Sequence, residues 1–218
     1  MENILVMQMI IVFKEKKMKI INLDRVSDIQ TFWDVAGFDK KEFISIIGRT
    51  GSGKTALSIA LACLAYGKHN KKVLFIGSED CREQFDKYLL RYHCDREREE
   101  NDWVTIQVAN NDITFEEIKE YSREYQSDLI VIDSYVAYKG FDDIMDFATK
   151  LKSFVNTEDK TIIVTTQLNR VEDCNEMEGN YLSFVSDTVL FCSLQDKSIH
   201  AETIKSRQTR KDVFELEY

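Results

Sequence analysis

The chain has 218 residues, of which 44% are hydrophobic and 31% are charged. This is the composition of an ordinary globular protein, and the length fits one domain with a substantial hydrophobic core. The net charge of −9 argues against non-specific binding to nucleic acid, because phosphate contacts need clustered Lys and Arg. It leaves room for a nucleic-acid motor whose basic residues are confined to a channel.

The five cysteines are scattered along the chain, at Cys63, Cys81, Cys94, Cys174 and Cys192. An odd number without Cys-x-x-Cys spacing argues against a disulfide framework or a zinc knuckle and for a reducing compartment. We therefore predict a cytoplasmic protein. His93 and Cys94 could form a fragment of a metal site with Cys81. Two thiols and one His on a predicted helix are more often packing or surface residues, and we predict that role for them.

Residues 1–19 are predicted to be an N-terminal extension that precedes a domain spanning residues 20–218. The apolar run Ile4–Phe13 is shorter than the ~20 residues that a membrane-spanning helix needs. Glu2 precedes this run, where a signal peptide would be basic. We expect no membrane contact. The extension is either dispensable or a strand that docks on the sheet of a neighbouring copy.

The apolar strand Ser45–Ile47 leads into a glycine-rich loop that matches the phosphate-binding pattern G-x-x-x-x-G-K-[ST] without a mismatch. Glycines let backbone N–H groups converge on an anion, and the helix that starts near Lys54 adds the positive end of its dipole. Lys54 is predicted to contact the outer phosphates, and the hydroxyl of Thr55 to ligate Mg²⁺. The predicted nucleotide-binding residues are Gly48, Arg49, Thr50, Gly51, Ser52, Gly53, Lys54 and Thr55.

Strands and helices alternate through the rest of the chain. Helices are predicted at Thr55–Tyr66 with Gly67 as C-terminal cap, at 81–98, from a capping box at Thr114–Glu117 to Tyr125, and at Asp142–Val155. Strands are predicted at Val73–Ile76, Val104–Val108, Leu129–Ile132, Ile162–Thr165, Thr188–Cys192, Ser198–Ile204 and Val213–Glu217. This order predicts an α/β fold with a mostly parallel central sheet, helices on both faces, and antiparallel strands near the C-terminus.

Two predicted strands end on acidic residues, at the edge where such sheets bind ligands. Asp133 follows an apolar strand, as does the acid that holds Mg²⁺ in P-loop sites, although it could also simply start a turn. Glu79 follows the strand after the P-loop helix and could orient an attacking water. From spacing alone, a cap of the next helix is an equally good role for Glu79.

Several segments together resemble the ATPase domain of DnaB-type hexameric replicative helicases, which are RecA-like P-loop proteins. The resemblance spans residues 20–218, and its most specific sign after the P-loop is the Gln-Leu-Asn-Arg tetrapeptide that follows a buried strand. The segments that carry it are Gly48–Leu57, the strand ending at Glu79, Ile113–Tyr125, Leu129–Asp133, Thr166–Arg170 and Ile204–Arg207.

The resemblance implies an enzyme that binds Mg²⁺–ATP and hydrolyses it within a homo-oligomer, either a hexameric ring or a filament. The implied catalytic residues are Lys54, Glu79 as base, Gln167 as sensor of the γ-phosphate, and Lys205 and Arg207, which reach across a subunit interface. The implied Mg²⁺ residues are Thr55 and Asp133. Residues two apart on a strand share a face, so Lys205 and Arg207 could present two cations together, although basic residues on a wet strand face are common.

Two functions follow from this resemblance. The first and leading hypothesis, favoured by the Gln-Leu-Asn-Arg signature, is a helicase-type motor in DNA replication or recombination, with single-stranded DNA and a replication protein as candidate partners. The second is a regulatory or assembly ATPase that switches an oligomer or a protein partner without moving on DNA. The loop after Arg170 favours the second, because it carries Glu172, Asp173, Glu176 and Glu178 where a helicase would contact DNA. A nucleotide-binding protein without turnover is the weakest reading.

Overall fold

The computed structural model describes most of the predicted domain. The described residues are 19–22, 33, 41–77, 83, 86–87, 103–108, 113–134, 144–168, 181–195, 198–207 and 213–217. The run Ile4–Phe13 and nearly all of the predicted helix 81–98, with Cys81, His93 and Cys94, lie outside these residues. The same holds for Glu79, for Cys174, and for the acidic loop after Arg170.

Within the described residues, nine strands form one sheet in the order β1-β9-β8-β7-β2-β6-β5-β3-β4. Neighbouring strands are parallel except at β7/β8 and β8/β9, which pair antiparallel. The predicted α/β fold with antiparallel pairing near the C-terminus is therefore confirmed. The strands are β1 Lys19–Asn22, β2 Phe43–Gly48, β3 Val73–Gly77, β4 Trp103–Gln107, β5 Leu129–Asp133, β6 Thr161–Gln167, β7 Thr188–Gln195, β8 Ser198–Ser206 and β9 Val213–Glu217.

Helices cover both faces of the sheet, as predicted. They are α1 Lys54–His69, α2 Phe115–Glu124, α3 Ile144–Glu158 and α4 Tyr181–Val185. Ile44, Ile46 and Phe75 belong to the apolar core on the α1 side, whereas Phe43 and Leu74 belong to the core shared with α2 and α3. This alternation buries both faces of β2 and β3, because successive strand side chains point to opposite faces.

The structure tests two predictions about helix ends, the capping box of α2 and the Gly67 cap of α1. The capping box is confirmed, because the Thr114 hydroxyl accepts from the Glu117 N–H and the Glu117 carboxylate accepts from the Thr114 N–H. The prediction that Gly67 caps α1 is wrong, since the helix continues to His69 and Asn70 takes the left-handed cap conformation with φ 51°. Asparagine tolerates that conformation better than most residues with a side chain.

Strand β1 was not predicted from the sequence. It pairs in parallel with β9 at the edge of the sheet, with Lys19 opposite Phe214. Among the described helices, none combines the length and the apolar character needed to cross a bilayer.

Candidate nucleotide-binding site

The predicted phosphate loop joins the end of β2 at Gly48 to the start of α1 at Lys54. Gly51 and Gly53 have φ values of 74° and 89°, which glycine adopts without the steric cost that a Cβ imposes. The Leu57 N–H donates to the Gly53 carbonyl at 2.9 Å, so the helix begins directly at the loop. The loop therefore lies at a helix N-terminus, where unpaired N–H groups and the helix dipole favour an anion.

Two glycines of the loop are also required by close packing. A Cβ on Gly48 would lie 2.3 Å from the carbonyl oxygen of Cys192 in β7, and a Cβ on Gly53 would lie 2.3 Å from Cδ1 of Ile199 in β8. Contacts this short do not occur between real atoms, so any side chain there would displace its neighbour. The phosphate loop is thus packed against the β7–β8 hairpin.

Lys54 is buried, and its Nζ donates a hydrogen bond of 2.7 Å to the Arg49 carbonyl. Burial lowers the pKa of the Lys54 amine, and nearby Cys192 and Asp133 oppose this shift. Burial also raises the pKa of the Cys192 thiol to about 12, so the thiol is uncharged at neutral pH. Of these two neighbours, Asp133 is therefore the one whose charge supports the ammonium form.

A cavity of about 470 Å³ lies over the loop and brings together the predicted residues Lys54, Thr55, Asp133 and Gln167. Gln167 reaches it because the last residue of β6 pairs with Gly48 in the sheet register. Asp133 ends β5, which lies on the other side of β6, and one of its carboxylate oxygens accepts a hydrogen bond from the hydroxyl of Thr165. The sheet order thus gathers side chains from three separate parts of the sequence.

The residues of this cavity fit a magnesium nucleotide. Thr50, Gly51 and Gly53 of the loop line the cavity together with Lys54, so the phosphate-binding backbone and the cation face the same space. Thr55 and Asp133 supply a hydroxyl and a carboxylate oxygen, the type of ligand that Mg²⁺ prefers. The volume of the cavity also falls in the usual range for small-molecule sites.

Lys205 and Arg207 lie toward the other end of the strands, away from this cavity. The Arg207 N–H donates to the Asp187 carbonyl at 3.1 Å, and the Asp187 N–H donates to the Phe43 carbonyl at 2.8 Å. Arg207 is therefore level with the first residue of β2, whereas the phosphate loop follows the last. Phe43 and Gly48 are five residue steps apart, about 16 Å at about 3.3 Å per residue, so Arg207 is not brought to the site of its own chain. Lys205 is level with Ser45, about 10 Å from Gly48, and its amine is held by α4 instead.

At that end of the strands both cations have partners. Arg207, with 60% of its side chain exposed, forms an ion pair of 3.0 Å with the buried carboxylate of Asp187, which also pairs with Lys152. Lys205 donates to the Ser183 and Phe184 carbonyls of α4 at 3.0 and 2.6 Å. Burial lowers the pKa of the Lys205 amine, and the charges of Arg207 and Lys152 lower it further against the effect of Asp187.

Sequence reasoning missed four residues at these places. Leu194 and Ile199 line the cavity, and at the other end of the strands Asp187 pairs with both Arg207 and Lys152. Each belongs to an apolar or charged pattern that is common in any α/β chain, and its position follows from the packing of distant segments. The spacing of these residues in the sequence therefore does not predict where they lie in the fold.

Comparisons with known proteins agree with this geometry. The family model for KaiC-type ATPases matches residues 16–211. The chain belongs to the KaiC ATPase family. A solved KaiC-like protein from the hyperthermophilic archaeon Pyrococcus horikoshii OT3 superimposes with a TM-score of 0.60 at 17% identity, over 81% of this chain and 84% of that one. No curated protein matches the chain.

The KaiC match supports the predicted RecA-like P-loop fold and an ATPase. It does not extend to the narrower resemblance to DnaB-type helicases, and helicase activity stays a prediction. At 17% identity the archaeal structure bears on the fold alone.

Proposed function

We propose that this KaiC-family chain binds Mg²⁺–ATP in the cavity over its phosphate loop and hydrolyses it. The observation that carries the proposal is that Lys54, Thr55, Asp133 and Gln167 line one cavity over the phosphate loop. These are the cation, the metal-binding oxygens and the γ-phosphate amide that phosphoryl transfer to water requires.

Each residue has a separate task in this proposal. Lys54 exchanges its hydrogen bond with the Arg49 carbonyl for one with the outer phosphates. Thr55 and Asp133 would hold Mg²⁺, which when bound neutralises charge on the phosphoryl oxygens. Gln167 contacts the γ-phosphate from the end of β6. Glu79, which lies outside the described residues, remains our predicted base for the attacking water.

Hydrolysis is proposed to need a second copy of the chain. Arg207 is level with the start of β2, about 16 Å along the strand from the phosphate loop, and Lys205 is level with Ser45, about 10 Å from it. Cations there can act only on the nucleotide of a neighbour, as an arginine finger does when it is supplied in trans. A head-to-tail assembly meets this need in every copy if it closes into a ring or continues as a filament.

Two uses of the ATPase are supported by different observations. The Gln167–Arg170 tetrapeptide favours a DNA-translocating motor of helicase type. The net charge of −9 and the four acids after Arg170 favour a regulatory or assembly switch that acts on a protein, because acidic side chains repel phosphates. We favour the switch. In either case the proposed ATPase domain spans residues 20–218 and residues 1–19 are the proposed extension, of which Lys19 is the first residue of β1.

Mixed oligomers test the shared site. Lys54→Ala copies should lose nucleotide binding but keep Arg207, whereas Arg207→Ala copies should bind ATP without hydrolysing it. Random mixing in equal amounts should restore about a quarter of the wild-type rate, because half of the sites have a functional loop and half of those face an intact neighbour. Arg123→Ala, which removes an arginine of α2 that pairs with Glu158, is the matched control and should keep full activity.

Failure of the mixture to exceed either variant alone would contradict the shared site.

A second experiment distinguishes the DNA motor from the protein switch by measuring the ATPase rate at low salt with and without single-stranded DNA. Marked stimulation supports the motor, and an unchanged rate supports the switch.

A further inference from the structure

The order of strands divides the cavity into two sides. β2 and its phosphate loop lie between β6 and β7, with β5 beyond β6 and β8 beyond β7. Asp133 and Gln167 end the strands on one side, and the β7–β8 hairpin forms the other. A magnesium nucleotide that places its metal and γ-phosphate near Asp133 and Gln167 must therefore extend its other end toward the hairpin.

The hairpin side of the cavity is apolar. Leu194 in β7 and Ile199 in β8 are directly opposite in the register, so their side chains share one face. Ile199 is 1% exposed and packs on Gly53 of the phosphate loop, whereas Leu194 is 55% exposed although it lines the same cavity. Leu194 is thus a solvent-exposed apolar side chain that lies beside the buried Ile199, next to the phosphate loop.

The nucleotide has one part that matches this surface. Its phosphates and Mg²⁺ are satisfied by the polar residues on the other side of the cavity, and they would gain nothing from an aliphatic side chain. The base is a flat ring with apolar faces, and covering Leu194 with it removes exposed apolar area from water. The other exposed large apolar side chains of the described residues, Met145 and Phe184, are not among the cavity-lining residues.

We propose that Leu194, supported by Ile199, is the platform on which the nucleobase of the bound nucleotide lies. This inference rests on the proposed function, because it takes a magnesium nucleoside triphosphate as the ligand. An aliphatic side chain contacts the face of the ring and does not read its edge. Leu194 therefore contributes affinity to any nucleoside triphosphate without selecting adenine.

The test compares a ligand that has a base with one that has none. Binding of Mg²⁺–ATP and of Mg²⁺–tripolyphosphate is measured by calorimetry for the wild-type chain and for Leu194→Ala. The substitution should weaken ATP roughly fivefold to tenfold and leave tripolyphosphate within about twofold. GTP should lose the same factor as ATP. Leu194→Met, which keeps the apolar area, should retain wild-type affinity, and Met145→Ala is the control for an exposed apolar residue outside the cavity.

Each other result contradicts a definite part of the reasoning. If wild-type protein binds ATP and Leu194→Ala binds it equally well, the platform is wrong and the proposed function stands. If Leu194→Ala weakens ATP and tripolyphosphate by the same factor, the residue acts through Ile199 on the phosphate loop, and the platform is again wrong. If the wild-type chain binds neither ligand, the proposed function fails and takes the platform with it.

Discussion

Replacing Gly53 by alanine tests whether the phosphate loop is packed against the β7–β8 hairpin. Gly53 combines a left-handed φ of 89° with an ideal Cβ position 2.3 Å from Cδ1 of Ile199. Gly51 provides a matched comparison, because its φ is 74° but no atom lies within 4 Å of its ideal Cβ position. Gly51→Ala therefore measures backbone strain alone, and Gly53→Ala measures strain together with the steric conflict.

The two substitutions should differ in their effect on the free energy of unfolding. Strain in the left-handed region costs about 1–2 kcal/mol for a residue with a Cβ, which is the expected loss for Gly51→Ala. Overpacking in a dense region adds about 1–3 kcal/mol, so Gly53→Ala should lose about 2–5 kcal/mol in total. Equilibrium unfolding in urea measures both, provided that the slope of free energy against urea is unchanged.

A double-mutant cycle identifies the atoms responsible for the difference. Ile199→Ala removes the side chain that the new methyl group would meet, at its own cost of about 2–5 kcal/mol for a buried isoleucine. In that background Gly53→Ala should cost only the backbone strain, so the coupling energy should be about 1–3 kcal/mol. Equal losses for Gly51→Ala and Gly53→Ala, or a coupling energy near zero, would refute the packing of the loop on the hairpin.

Three further predictions concern the ligand and its charges. Lys54→Ala should abolish measurable Mg²⁺–ATP binding in calorimetry, while unfolding in urea shows that the chain remains folded. Because burial lowers the Lys54 pKa from 10.5, wild-type affinity for ATP should be complete below the lowered pKa and fall as pH rises through it, whereas Lys54→Arg should show no such loss because arginine stays charged. Arg207→Ala should keep the ATP dissociation constant within about twofold and lower the hydrolysis rate by about 10³-fold or more.

The phosphate loop could be predicted from the sequence because all its determinants are local. Gly48, Gly53, Lys54 and Thr55 lie within eight consecutive residues, and each position has one physical reason for its residue type. The same holds for the capping box of α2, which depends on two residues three positions apart. Buried parallel strands such as β5 were predicted because their apolar runs have no other common explanation in an α/β chain.

The hairpin side of the cavity could not be predicted in this way. Ile199 meets Gly53, and Leu194 lines the cavity beside it, only because β7 pairs with β2 in a particular register and β8 folds back on β7. A shift of one residue would turn both side chains to the other face of the sheet. The register depends on the pairing of β7 with β2, which are more than a hundred residues apart in sequence, and periodicity within one strand does not reveal it.

The contacts of Asp187, at the start of β2, could not be predicted from the sequence, and they link β2 to Arg207. An acid between a short helix and a strand suggests an exposed turn, yet this carboxylate is buried and accepts from the Phe43 N–H at 2.9 Å while pairing with Lys152 and Arg207. The contact joins the start of the P-loop strand to the cation proposed to act on a neighbour. Since β2 runs without interruption from Phe43 to Gly48, one strand connects the proposed nucleotide site of the chain to the residue that we propose completes the site of a neighbour.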